Sequence, residues 1–222
     1  KAAIEEDADG IAISSYQGGH MEFFTYMVEQ LQKHSRQDIK VFGGGGGTIT
    51  DEEIEQLEGA GVQKIYSVED GRKLGLDGMI QDMLNIPRAH RVSRELLAQT
   101  VLKPLHKLAI DLTRIEAGIE IDPPQTIAAP PVVGITGVGG AGKSSLTDEL
   151  LWRIIGHDPT KKVAVLSVDP SKRKTGGALL GDRIRMNAAS SSQIFMRSIA
   201  TRAKHAAVSE NLRACLKRLK HE

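Results

Sequence analysis

The stretch Gly137-Val138-Gly139-Gly140-Ala141-Gly142-Lys143-Ser144 satisfies G-x-x-x-x-G-K-[ST] and constrains this chain more than any other feature. The pattern works only between a strand and a helix, where glycines bend the backbone until successive N–H groups face one anionic centre. The flanking residues supply that setting. Val132–Thr136 (VVGIT) reads as a buried strand, and Lys143–Ile155 reads as an amphipathic helix carrying Leu146, Leu150 and Leu151. Candidate phosphate-binding residues are therefore Gly139, Gly140, Ala141, Gly142, Lys143, Ser144 and Ser145. Lys143 is placed to reach the β- and γ-phosphates and is the candidate catalytic residue, while the Ser144 hydroxyl is a candidate magnesium ligand. A glycine-rich turn with a chance lysine would account for the loop alone, but not for the loop in this context.

A second set of residues follows in order. Lys162–Val168 reads as the next strand and ends in Asp169-Pro170, placing an acid at the carboxyl edge of the sheet, where α/β proteins bind ligands. Asp182 comes thirteen residues later, inside the glycine-containing run Thr175–Met186 (TGGALLGDRIRM), which is expected to form a mobile, switch-like loop. Asp169 and Asp182 are candidate magnesium ligands, direct or through water. Arg185 is a candidate contact to phosphate charge.

The first half of the chain has the same rhythm. Gly10–Ser14, Ile39–Phe42 and Val62–Tyr66 read as buried strands. His20–His34 reads as a helix, with Met21, Phe24, Met27, Val28 and Leu31 near helical spacing, and Gly71–Leu84 as another. Thr50 followed by Glu53 is a capping-box signature for a helix reaching Gly59. Strand–helix alternation with short turns predicts α/β architecture, a parallel sheet wrapped by helices. Gly43–Gly47 is expected to be an irregular loop, since consecutive glycines favour no regular element and allow close approach of a ligand. Between Ile86 and Pro131 the texture changes to a polar helical stretch, Ser93–Ile119, interrupted at Pro104, and then a proline-punctuated linker.

Bulk properties narrow the partners. With 29 basic and 28 acidic residues the net charge is +1, so nothing electrostatic points to nucleic acid or an anionic membrane. The basic tail Arg213–Lys220 reads as a solvated helix face. A lone cysteine, Cys215, excludes an internal disulfide framework and suits a reducing cytoplasm. No apolar run is long enough to span a bilayer, and Lys1–Asp9 lacks the apolar core of a signal peptide. Lys1 and Glu222 both fall within helix-like sequence, so each end is expected to cut a larger structure.

GITGVGGAGKSSL, SVDPS and TGGALLGDRIRM, continued by Phe195–Arg202, together resemble the G-protein chaperones of cobalamin-dependent acyl-CoA mutases, a branch of the metallochaperone GTPases. The resemblance covers about Val132 to Arg202. It implies GTP as substrate, magnesium at Ser144, Asp169 and Asp182, and a nucleotide contact from Arg185. Neither a Walker-B acid after a third strand nor a guanine-reading N-K-x-D occurs before Glu222, so guanine preference rests on the resemblance. In the first half, SSYQGGH followed by the glycine run resembles the cobalamin-binding domain of acyl-CoA mutases, a flavodoxin-like fold with D-x-H-x-x-G, S-x-L and GG motifs. Tyr16 stands where that pattern has leucine, and 27 residues, 17–43, separate it from Gly44. The resemblance implies that Ser14, Tyr16, Gly44 and Gly45 line the pocket for the dimethylbenzimidazole tail of adenosylcobalamin. Only thirteen residues precede Ser14, too few for the cobalt-ligating histidine, and His20, which opens a helix, is not its substitute.

These readings give a cobalamin domain over 1–86, a helical linker over 87–130 and a P-loop GTPase domain over 131–222, the outer two incomplete. The combination resembles acyl-CoA mutases fused to their own chaperone. It implies adenosylcobalamin-dependent rearrangement of isobutyryl-CoA to n-butyryl-CoA on a catalytic barrel outside this chain, with the whole protein a homodimer. Two alternatives stay open: a stand-alone GTPase that delivers metal or cofactor without isomerase activity, and a small-molecule kinase on a P-loop fold.

Overall fold

A computed structural model describes residues 1–97, 104–121, 130–170, 180–201 and 211–220. Its elements in chain order are α1 (Ala2–Glu5), β1 (Gly10–Ser14), α2 (His20–Lys33), β2 (Lys40–Gly44), α3 (Asp51–Gly59), β3 (Lys64–Tyr66), α4 (Val68–Leu97), α5 (Pro104–Glu116), α6 (Lys143–His157), β4 (Val163–Pro170), α7 (Gly181–Arg185), a 3-10 turn (Asn187–Ser190), β5 (Ile194–Thr201) and α8 (Leu212–Leu219). They divide into two compact units, Ala8–Lys103 and Lys1–Asp7 together with Pro104–Glu222. Helix α5, from the stretch expected as linker, thus belongs to the same unit as the phosphate loop, as does α1.

In the first of these units β2 lies between β1 and β3, all three parallel. Phe24, Val28 and Leu31 recur on one face of α2 and are buried, as their spacing requires. Helix α3 begins with the capping box: Thr50 Oγ1 accepts from the Glu53 amide at 3.3 Å, and Glu53 Oε2 accepts from the Thr50 amide at 2.8 Å. Strand β1 is an edge strand with an exposed–intermediate alternation, so the buried strand expected at Gly10–Ser14 is corrected. The expected helix Gly71–Leu84 is part of the longer α4, broken at Gly75 by a left-handed φ of 63°.

The glycine run also departs from expectation. Gly43 and Gly44 close strand β2, where an irregular loop was expected. The reason is packing. A β-carbon on Gly43 would stand 2.4 Å from Phe24 Cζ and 2.5 Å from Ile65 Cδ1, so glycine is what lets α2 and β3 close over the sheet at this point.

In the second unit β4 and β5 pair in parallel over eight residues, Val163↔Ile194 to Pro170↔Thr201. Pleat alternation splits β5 between two apolar layers. Phe195 and Ile199 pack with Leu108, Ala109, Leu112 and Ile115 of α5 and Cys215 of α8. Ile194 packs with Leu151 and Ile155 of α6, and Met196 with Met186 and Ala189. Cys215 is fully buried, and burial pushes its thiol up to about 11. Pro104 opens α5, where its missing N–H costs nothing. Val132–Thr136 is not a strand: it makes no ladder, and Val132 and Val133 are exposed. A strand exists only by pairing, and among the described residues this apolar run has no neighbour.

Gly43→Ala should destabilise the protein by about 1–3 kcal/mol through overpacking against Phe24 and Ile65. Gly59→Ala, at a position with nothing within 4 Å of the new methyl, is the comparison and should lose nothing. Urea unfolding reads both, and equal midpoints for the two variants would overturn this account of the glycine.

Candidate functional site

The phosphate loop folds as its glycines allow. Gly140 and Gly142 both sit at φ 80°, in the left-handed region that L side chains avoid. Gly142 is the N-cap of α6, so Lys143, Ser144 and Ser145 form the first turn, where backbone amides lack helical partners. Ser145 is exposed, as are Gly139, Gly140 and Ala141. Lys143 Nζ folds back across the loop and donates to the Val138 carbonyl at 2.9 Å.

Ser144 and Asp182, separated by 38 residues, meet directly. Ser144 Oγ donates to Asp182 Oδ1 at 2.8 Å. Ser167 Oγ donates to Asp182 Oδ2 at 3.0 Å, so each carboxylate oxygen has its own hydroxyl. Arg185 Nη2 donates to Oδ1 at 3.1 Å from an otherwise exposed side chain. Burial works against ionisation of Asp182, but the bonds from Ser144, Ser167 and Arg185 outweigh it and hold the carboxyl below its ordinary value. The group is thus an anion at neutral pH. A serine hydroxyl beside an ionised carboxylate is an all-oxygen donor set, which fits magnesium: that ion takes one or two protein ligands and completes its shell with phosphate and water.

Ser167 was not among the sequence candidates. The signal was present, a single polar residue inside the apolar strand VAVLSV. It lies two residues after Val165, hence on the pleat face that packs toward α6. Asp169 holds a ladder position opposite Ala200, and its side chain lies outside the described residues. So do 175–179, the first part of the expected switch loop, whereas Gly181–Arg185 is helix α7.

The other unit brings its sequence candidates to one sheet edge. Ser14 and Gly44 are register partners, and Gly44 in turn is opposite Tyr66, so all three end their strands side by side at the carboxyl edge. The Ser15 amide donates to the Gly44 carbonyl at 2.8 Å. Thr48 Oγ1 links the Gly45 and Ser15 carbonyls, at 2.6 and 3.1 Å. A β-carbon on Gly45 would meet Ser15 O at 2.5 Å and Thr48 Oγ1 at 2.7 Å, so the loop's own closure demands that glycine. Gly44 is different: its nearest neighbour, Tyr66 O, is an ordinary 3.5 Å away. Tyr16 is 69% exposed with its ring beside Gly46. His20 is buried at the start of α2, its Nε2 3.2 Å from Glu53 Oε1 of α3.

Residues 125–220 match the family described as methylmalonyl Co-A mutase-associated GTPase MeaB. Over 95% of its length the chain is 50% identical to the fused isobutyryl-CoA mutase of Cupriavidus metallidurans. It is 48% identical over 96% to that of Geobacillus kaustophilus, and 46% identical over 92% to that of Nocardia farcinica. The chain is thus similar to the fused isobutyryl-CoA mutases over nearly its whole length. It spans about a fifth of the length of these curated relatives, 20%, 21% and 20% respectively. Similarity to the fused mutases extends over both structural units, whereas the MeaB match is confined to 125–220.

Because Asp182 is held ionised, its contribution to stability is complete above the ordinary carboxylate pKa and is lost as pH falls through its lowered value. Ser167→Ala removes one donor, so the Asp182 pKa should rise and that acid loss should become smaller and finish at a higher pH. Carboxyl-resolved NMR titration measures the shift. An unmoved Asp182 would mean that the Ser167 bond does not act on it.

Proposed function

We propose that this chain is the cofactor-binding and GTP-hydrolysing portion of an adenosylcobalamin-dependent isobutyryl-CoA mutase fused to its own chaperone. The observation that carries the nucleotide half is the Ser144–Asp182–Ser167 cluster beside a complete phosphate loop. In this reading the amides of the first α6 turn cradle the phosphates, and Lys143 exchanges the Val138 carbonyl for the β- and γ-phosphate oxygens. Ser144 and Asp182, with Asp169 as a further acid, would hold magnesium, which would supply positive charge to the phosphates. Arg185, already beside Asp182, extends toward the same charge.

The edge formed by Ser14, Tyr16, Gly44 and Gly45 receives the tail of adenosylcobalamin. That cofactor supplies a carbon radical by cobalt–carbon homolysis when bound. What this chain provides is a hydroxyl at the end of β1 and a side-chain-free surface at Gly44, next to it in register. Rearrangement of isobutyryl-CoA to n-butyryl-CoA belongs to a barrel elsewhere in a cytoplasmic homodimer. GTP turnover at the α6 site gates cofactor loading. Homology across both units supports this fused reading over a stand-alone metallochaperone.

In the full-length protein, Lys143→Ala should abolish magnesium-dependent GTP hydrolysis, because a charge-assisted phosphate contact contributes about 1.5–3 kcal/mol. Phosphate release within about twofold of wild type, well below the effect of losing such a bond, would refute the role.

Gly44→Val tests the other half. The fold has room at this β-carbon, with only Tyr66 O at 3.5 Å, so the variant should stay folded while losing adenosylcobalamin binding in a visible-absorption titration. Gly45→Val is the wrong probe, since it collides with Ser15 and Thr48 before any ligand is considered. Undiminished binding by a folded Gly44→Val protein would remove the tail pocket from this edge.

A further inference from the structure

Helix α7 carries Asp182, yet little of its own holds it in place. It has five residues and none of them is buried; Ile184 is 83% exposed. A single turn of helix is not self-sustaining. Met186, just beyond it, is anchored in an apolar cluster. The polar attachments of α7 point in two directions. Asp182 reaches Ser144 and Ser167, and Arg183 reaches α1 and the residue after it.

The Arg183 attachment is dense. Nη1 donates to Glu5 Oε2 at 2.6 Å, and Nε and Nη2 donate to Glu6 Oε1 at 3.1 and 2.8 Å. Nη2 also donates to the Met196 carbonyl of β5. The acids are themselves fixed. Glu5 is fully buried and accepts from Lys1 Nζ at 2.5 Å, while Glu6 accepts from the Ser198 amide at 3.1 Å. Lys1 in turn donates to the carbonyls of Ala189 and Ile194 at 2.7 and 2.8 Å. All of these residues lie in one structural unit. Guanidinium geometry gives this clamp direction as well as strength, because the planar fork meets two carboxylates and a carbonyl at once.

We infer that Glu5, Glu6 and Arg183 are positioning residues for the nucleotide site: they fix the α7 turn so that the neighbouring Asp182 presents its carboxylate to Ser144. The inference rests on the reading of Ser144 and Asp182 as the magnesium site. It adds that a helix more than 130 residues upstream of the phosphate loop in sequence is a working part of that site. Neither Glu5, Glu6 nor Arg183 touches nucleotide; they act through the backbone of α7.

The test uses the full-length protein and compares Glu6→Gln with Glu116→Gln. Both remove a carboxylate charge from the same polar network, but Glu116 serves Arg197, at 2.6 Å, and not Arg183. Glu6→Gln should raise the magnesium concentration for half-maximal GTP hydrolysis about tenfold, as loss of an orienting partner does at metal sites. Affinity for GTP measured without magnesium should stay unchanged, and Glu116→Gln should leave the magnesium requirement at the wild-type value. Should Glu6→Gln fail to fold, Arg183→Lys carries the same comparison. A magnesium requirement that moves equally in both variants, or in neither, overturns the inference while leaving the site itself standing. Wild-type protein that hydrolyses GTP without any need for magnesium removes the site reading and the inference together.

Discussion

A single guanidinium, that of Arg197 in the middle of β5, joins parts of the chain that lie far apart in sequence. Its side chain is 6% exposed and donates to the Glu5 carbonyl at 3.2 Å, to Thr113 Oγ1 at 2.9 Å and to Glu116 Oε2 at 2.6 Å. Burying such a charge is tolerable only when it is paired, and removing one partner of a buried pair typically costs about 3–5 kcal/mol. Arg197 therefore dictates where α1 and α5 can sit: both must meet the pleat face of β5 that carries it. In sequence, residues 8–103 lie between these two helices. Arg183 of α7 repeats the arrangement with Glu5 and Glu6.

How much of this was legible depends on the distance over which each signal acts. The phosphate loop, the Thr50–Glu53 box and the α2 apolar stripe are local, a few residues long, and all appear where the spacing places them. The misreadings involve neighbours that a single sequence does not display. VVGIT has the composition of a buried strand, but a strand is completed by its partner, and the described residues contain none for it. The glycine run looked irregular because glycine has no intrinsic preference for a strand; Phe24 and Ile65, from two other elements, are what require it there.

The candidate nucleotide site shows the same division. Gly142, Lys143 and Ser144 were readable from one octapeptide. Asp182 was readable as a candidate, and its meeting with Ser144 bridges 38 residues. Ser167 was overlooked because a hydroxyl in a strand is unremarkable until the pleat aims it at a carboxylate. The Glu5–Glu6–Arg183 clamp was invisible, since charged residues in helical sequence usually face solvent, and nothing near Lys1 announces that it docks against β5.

The two candidate sites differ in how glycine should be interpreted, and the difference decides which residue carries information about a ligand. At the carboxyl edge of the three-stranded sheet, Gly43 is required by Phe24 and Ile65, and Gly45 by Ser15 and Thr48. Neither needs a ligand to explain it. Gly44 lies between them with an ordinary 3.5 Å contact to the Tyr66 carbonyl and would accept a β-carbon as far as the protein is concerned. Its lack of a side chain is the one feature of this edge that internal packing leaves unexplained, and it stands in register with Ser14, the only hydroxyl on β1. A bound group approaching the ends of β1 and β2 would use that bare surface. Gly44 and Ser14 are therefore the residues that speak for a cofactor here, and the glycines on either side do not.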